Sequence, residues 1–371
     1  AVQQPGEETT YGGYFTQEEI RGILAYARDR FITIVPEIDM PGHSRAAVAS
    51  RPEISCDGGP HTVATGGNGG GGTYCPGKEA TFEFVESVLG EVIDLFQSEY
   101  IHIGGDECSK EAWGRCPDCR ARMASAGLES LEALQSYFIR RVEKVINERG
   151  RSMIGWDEIL EGGLAPNAVV MSWRGEKGGI AAAQAGHQVI MTPHSYCYLD
   201  LKQGDPELEP PLGYAQCRLS TAYSYDPVPD ELTEAQAALV LGSQGNLWSE
   251  SIETEAHAHY MLFPRLLAIA ETTWTPAEDR TWDDFVRRLE ANLGRLERLG
   301  IGYARSMYQV ALRTSAIETL RFRVAMRTEH GSVPIHYTLD GTEPSADSPR
   351  YTVPLEFGES TQIKACAIRA G

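Results

Sequence analysis

The sequence predicts an α/β protein: a (β/α)8 barrel of the TIM type followed by a small C-terminal β-sandwich-like module. Three observations carry this. Short apolar runs alternate with amphipathic helical stretches from residue 16 to residue 299, polar and aromatic residues gather just after each run, and beyond residue 310 the periodicity changes. Strands alternating with helices imply a parallel sheet, and ligands of such sheets meet the carboxyl ends of the strands. The 371 residues exceed one ordinary domain and divide into 1–310, the barrel, and 311–371, the module.

The elements follow in order. Thr16 precedes a helix, Glu19 completes a capping box, and Ile20, Ile23, Leu24 and Ala27 form one apolar stripe. Residues 31–38 (FITIVPEI) read as a strand covered on both faces, ending in Asp39-Met40-Pro41-Gly42-His43. A helix over 79–97 leads to a strand over 100–104, which ends in Gly105-Asp106-Glu107. A helix over 130–148 leads to a strand over 152–155, which ends in Trp156-Asp157-Glu158. Strands over 168–172, 188–192 and 239–245 end in Trp173-Arg174-Gly175, HSYCYLD and NLWSE, and amphipathic helices are expected over 254–273 and 281–299. Because every strand end carries acids, aromatics or His, a barrel that converges them fits better than an open sheet; no GxGxxG turn follows a strand. The glycine run at 66–72 lacks the Lys-Ser/Thr of a phosphate loop and reads as a flexible loop. Residues 320–326, 334–339 and 362–368 alternate apolar and polar, with a turn-rich DGTEP between the last two.

Composition narrows the function. Apolar residues at 42% and charged ones at 23% are ordinary for a globular chain, and the net charge of −19 argues against nucleic acid or an anionic membrane surface as partner. No apolar run is long enough to span a bilayer. The opening AVQQPGEETT is not a signal peptide, so either the protein is cytoplasmic or such a segment was removed; the full-length protein is expected to be periplasmic or secreted. Nothing in the sequence sets the oligomeric state. The eight Cys are too few for a disulfide scaffold. Cys116 and Cys119 form a lone CxxC, a weak zinc signal because structural zinc takes four ligands, and Cys56 and Cys75 bracket the glycine run. They read as reduced thiols or a local clip. With no HExxH or clustered His, no metal and no cofactor are expected.

Asp106-Glu107 is the sharpest chemical feature. One acid that holds its proton beside one that stays ionised is the arrangement general acid catalysis uses. Trp156, Trp173 and Trp248 stand at equivalent strand ends and suit the faces of a sugar ring. On an extended chain Asp106 and Glu107 point different ways, which makes them poor candidates for an acid and a nucleophile on opposite faces of one sugar. His43 alone reads as a structural, hydrogen-bonding His.

HIGGDE (102–107), VPEIDMPGHS (35–44), WDEIL, SWRG, YLD and NLWSE, taken together and in this order, resemble the motif series of glycoside hydrolase family 20, the β-N-acetylhexosaminidases. IHYTLDGTEPS resembles the β-sandwich module appended to chitobiase-like members. The resemblance implies retaining exo-hydrolysis of terminal β-linked N-acetylglucosamine or N-acetylgalactosamine through an oxazolinium-like intermediate, with no enzyme nucleophile. Carried over by position, Glu107 is the acid and later the base, and Asp106 orients the 2-acetamido nitrogen. Tyr198 holds the acetamido oxygen, Trp156, Trp173 and Trp248 wall the sugar, and Glu250 and Asp200 bind hydroxyls. Asp39 and His43 support the acid. The sequence shows six strand–helix units where the family has eight. The first two, which carry a sugar-gripping Arg and an HWH-type strand, have no counterpart here. Two other readings therefore stand beside the hydrolase: a non-catalytic amino-sugar-binding remnant, and another barrel glycosidase pairing Glu107 with Glu158 or Glu250.

Overall fold

The computed structural model describes residues 13–63, 72–210 and 215–369. The glycine run therefore lies outside the described residues except for Gly72. The chain forms two compact units, Ala1–Pro193 with Val228–Gly242, and His194–Pro227 with Ser243–Gly371.

A five-stranded sheet, in the first unit but for its last residue, runs in sequential order: β1 (Tyr100–His102), β2 (Ser152–Trp156), β3 (Val169–Ser172), β4 (Val189–Met191) and β5 (Val240–Ser243). Strands β1 to β4 pair in parallel, with His102 opposite Ile154, Trp156 opposite Met171 and Ser172 opposite Met191. The alternation of side chains sorts the two faces. Ile154, Trp156, Val169 and Met171 form one buried cluster, against which Tyr100, Trp173 and Ile190 pack. Helices Glu79–Leu95 and Leu131–Glu148 bury Phe82, Val85, Leu89 and Ile93, and Leu134, Phe138, Ile139, Val142 and Ile146. Phe82 and Phe138 join the two helices with ring centroids 5.5 Å apart. Ser130 caps the second helix by accepting the Ala133 N–H at 3.0 Å.

The helix Gln17–Arg28 has the expected capping box, in which Glu19 accepts the Thr16 N–H at 2.7 Å and donates its own to the Thr16 hydroxyl at 3.2 Å. The apolar stripe behind it is less buried than its pattern predicts: only Ala27 is buried, and Ile23 is exposed. Residues 31–38 differ from expectation in the same way. They touch the sheet through a parallel bridge between Glu37 and His102, with Ile38 N donating to His102 O at 3.0 Å and Met40 N to Ile103 O at 2.8 Å. Phe31 is 100% and Ile32 57% exposed, so the run is an open edge and not a strand covered on both faces.

In the second unit the helix expected over 254–273 is two helices, Glu255–Leu262 and Arg265–Trp274. Pro264 supplies no N–H to continue the ladder, and the chain turns there. The helix Trp282–Arg298 buries Phe285, Val286, Leu289 and Leu293. Then come β6 (Ala311–Glu318), β7 (Arg321–Arg327), β8 (Ile335–Thr338), β9 (Leu355–Phe357) and β10 (Lys364–Ala367). They form an antiparallel sheet in the order β6-β7-β9 and a separate antiparallel pair β8-β10. Of these, β6 and β9 escaped the alternation pattern. No described helix is long and apolar enough to cross a membrane.

Candidate active site

The first unit brings four of the expected residues together at the end of β1. His43 Nε2 lies 3.5 Å from Asp106 Oδ2 and 3.5 Å from Glu107 Oε2. The two neighbouring acids therefore reach one imidazole and do not diverge as an extended chain would make them. The reason is local: Glu107 has φ +46°, and His43 has φ +47°. Left-handed backbone is costly for such side chains and persists where surrounding structure enforces it, most often at functional sites. Glycine makes the approach possible. A Cβ on Gly104 (φ +67°) would lie 1.8 Å from Asp39 Oδ1, and the Gly105 N–H donates to that oxygen at 3.3 Å.

The charges there shift one another. Burial, then the Asp106 carboxylate, pushes the Asp39 carboxyl up to about 8. The hydrogen bond to Asp106 is the main cause holding His43 up at about 9, against its partial burial, with Asp39 and Glu107 adding to it. At neutral pH His43 is a cation beside two acids, and Asp39 is protonated. One ligand atom each from Asp39, His43 and Asp106 fall within 4.8 Å of one another. Asp106 Oδ1 is buried and has no hydrogen-bond partner, while the Glu107 side chain is 59% exposed.

The ends of β2 and β3 are tied together. Trp173 Nε1 donates to Glu158 Oε2 at 3.0 Å, and Arg174 Nε donates to Asp157 Oδ1 at 2.9 Å. Burial raises the Glu158 carboxyl to about 7, opposed by the Trp173 hydrogen bond and by Arg174. Trp156 is buried, its ring centroid 4.9 Å from that of His102, and its Nε1 donates to Glu37 Oε1 at 3.0 Å. Sequence reasoning passed over Glu37 and Arg174. Glu37 was findable, since it stands two residues before Asp39 on an extended run and so shares its face.

In the second unit Tyr198 and Asn246 form a parallel bridge, with Leu199 N donating to Asn246 O at 2.6 Å. The Tyr198 ring is buried and lies 6.5 Å from that of Trp248, which is exposed, as is Glu250. Burial, with a smaller push from Glu250, raises the Asp200 carboxyl to about 6, and its Oδ1 is buried without a partner. The loop that carries Tyr198 and Asp200 hangs on Arg265. This side chain is 0% exposed and donates to the carbonyls of Leu199 (2.6 Å), Met261 (2.8 Å), Leu201 (2.8 Å) and Cys217 (3.0 Å). A lone Arg opening an amphipathic helix carries no sequence signal of this role.

Comparison with known proteins places this arrangement. The profile described as "Glycosyl hydrolase family 20, catalytic domain" matches residues 1–277, and one described as "Fn3 associated" matches 324–371. The chain is 46% identical to a β-hexosaminidase of Porphyromonas gingivalis over all of its own length and 48% of that protein. It is 37% identical to a β-hexosaminidase of Vibrio furnissii, covering 70% of this chain and 43% of the other. The chain thus spans about half the length of these relatives. Among solved structures, an exo β-N-acetylglucosaminidase of Vibrio harveyi in complex with N-acetylglucosamine superposes with a TM-score of 0.73 at 34% identity, over 80% of this chain and 47% of that one. A β-N-acetylhexosaminidase of Bacteroides fragilis gives 0.71 at 30% identity, over 81% and 60%.

Proposed function

The chain belongs to glycosyl hydrolase family 20 and carries its TIM-barrel-like α/β domain, and from that premise we propose that it is a β-N-acetylhexosaminidase releasing terminal, non-reducing, β-linked N-acetylglucosamine or N-acetylgalactosamine with retention. The observation that carries the reading is the contrast at the end of β1. Asp106 presents a buried, unpartnered oxygen, Glu107 presents an open carboxyl, and His43 stands 3.5 Å from both.

In substrate-assisted hydrolysis the acetamido oxygen of the sugar itself attacks the anomeric carbon, so the protein supplies an acid above the leaving oxygen and a fixed acceptor for the acetamido N–H. Glu107 gives its proton to the leaving oxygen and then takes one from the water that opens the oxazolinium ring. Asp106 Oδ1 accepts the acetamido N–H, and its charge stabilises the cation that forms. The His43 cation, backed by protonated Asp39, offsets the charge of the two acids. The family pattern assigns Tyr198 to the acetamido oxygen, Trp156, Trp173 and Trp248 to the sugar faces, and Asp200 and Glu250 to its hydroxyls. The open edge at Phe31 and Ile32 supports pairing with two further barrel strands there, and the match at 324–371 supports a separate β-sandwich-like module over 311–371.

The test is release of p-nitrophenol from its β-N-acetylglucosaminide. Turnover is expected to be inhibited by a thiazoline mimic of the intermediate and to fall in both Glu107→Gln and Asp106→Asn. Unchanged turnover in both variants sinks the assignment. Binding of N-acetylglucosamine without turnover selects the non-catalytic reading, and turnover insensitive to the thiazoline selects a glycosidase with a separate carboxylate nucleophile.

A further inference from the structure

Four cysteines that lie far apart in sequence meet in the first unit. Cys56 and Cys75 flank one loop, Cys116 stands before the helix Pro117–Ala126, and Cys119 lies in that helix's first turn. Their sulfurs all lie within 4.8 Å of one another. Cys75 stands 3.5 Å from Cys119 and 3.7 Å from Cys116, and Cys56 stands 3.8 Å from Cys119. Four sulfurs at about 2.3 Å from a central zinc define a tetrahedron with edges of about 3.8 Å. The observed separations match those edges. They do not single out two bonded pairs, because Cys75 faces two partners at nearly equal distance and so does Cys119. The sulfurs are also too close together to surround an iron–sulfur cluster, whose ligands stand off a core of several atoms.

We propose that these four cysteines form a structural Zn2+ site. On binding, each thiol releases its proton to solvent, and the four thiolates with one Zn2+ leave a complex of net charge −2. The surroundings suit a largely enclosed, anionic site with Cys56 at its half-buried edge. Cys75, Cys116 and Cys119 are buried in a cluster with Trp113 and Leu134. Lys78 donates to Ser55 O at 2.6 Å and Arg122 to Gly77 O at 3.5 Å, which sets two cations on the ligand-bearing loops. The fit is also steric: a Cβ on Gly77 would come within 2.4 Å of Cys119 N, so only glycine lets the Cys75 loop lie this close to the helix start.

The consequence reaches the candidate catalytic residues. Tyr74 N, next to Cys75, donates to Pro41 O at 3.0 Å, inside the loop that carries Asp39 and His43. Trp113 Nε1, three residues before Cys116, donates to Tyr74 O at 2.9 Å. The metal therefore clamps the loop after Glu107 to the loop that holds His43, as a positioning device.

The test uses the untagged full chain, purified with a reductant and without chelator. Elemental analysis is expected to find one zinc per chain, and X-ray absorption a shell of sulfur alone at about 2.3 Å. A mercurial titration is expected to free the zinc as four thiols are blocked, and Cys119→Ser to lose it. Zinc-free protein whose intact mass lacks four hydrogens would mean two disulfides and overturns the proposal. A nitrogen and oxygen shell, which places the ion elsewhere, or visible absorption from bound iron overturns it as well. The absorption measurement needs only the unaltered protein, so a variant that fails to fold leaves the proposal decidable.

Discussion

The first unit fixes its polar side chains with charge, whereas the second fixes them with backbone. At the end of β1, His43 stands 3.5 Å from both Asp106 and Glu107, with an Asp39 oxygen within 4.8 Å of His43 and Asp106, on a chain strained at two non-glycine residues. Around Tyr198 and Asp200 the loop hangs on four carbonyls gripped by the buried guanidinium of Arg265. Groups that exchange protons in a reaction need partners whose charge can respond. Groups that only need to stay in place are better held by partners that never titrate, and Arg is such a partner. The difference predicts that damage to the first network removes chemistry and leaves the fold, and damage to the second removes the fold.

The largest effect is expected from Glu107→Gln. In the acid role proposed for Glu107, its loss reduces kcat/KM by about 10²–10⁴-fold, and thermal melting is expected to be unchanged because the side chain is largely exposed. A variant that melts early instead would break the contrast. Arg265→Met keeps the volume and removes the donors, so the carbonyls of Leu199, Leu201, Met261 and Cys217 are left buried. A destabilisation of about 3–5 kcal/mol is expected from urea midpoints; a loss below about 1 kcal/mol would show that the loop stands without it. Gly104→Ala forces a Cβ onto Asp39 and a residue into left-handed backbone, at about 1–3 kcal/mol. Its kcat/KM is expected to fall further than its stability explains, because Asp39 must move.

The remaining effect is a slope with pH. Asp39 is raised from 3.8 to about 8 and His43 from 6.5 to about 9. In both windows the folded state binds more protons than the unfolded chain, so stability falls as pH rises through them. Melting temperature is expected to decline from pH 4 toward pH 9, and Asp39→Asn to flatten the part below pH 8. An unaltered slope would mean that Asp39 titrates normally. Asp106, His43 and Glu37 are the charged groups acting on it.

Much of this was legible before any coordinates. The Thr16 capping box, the strand ends at Asp106, Trp156 and Trp173, and the helices over 79–97 and 130–148 lie close to where periodicity and capping put them. The failures have physical causes. A break at Pro264 looks like a continuing amphipathic helix when only the apolar spacing is counted. The run at 31–38 has a buried strand's composition but an edge's neighbours. The CxxC at Cys116 gave no sign of a four-cysteine cluster, because Cys75 and Cys56 stand 41 and 60 residues away.

Sequence by itself determined the family, the order of the elements and which residues stand at strand ends, because motif, cap and period act over a few neighbouring residues. Only the tertiary structure decided that Asp106 and Glu107 share one imidazole, that Arg265 carries the Tyr198 loop, and that four cysteines converge. Each of those depends on segments brought together across tens of residues, and the first also on left-handed backbone at His43 and Glu107 that no local preference selects.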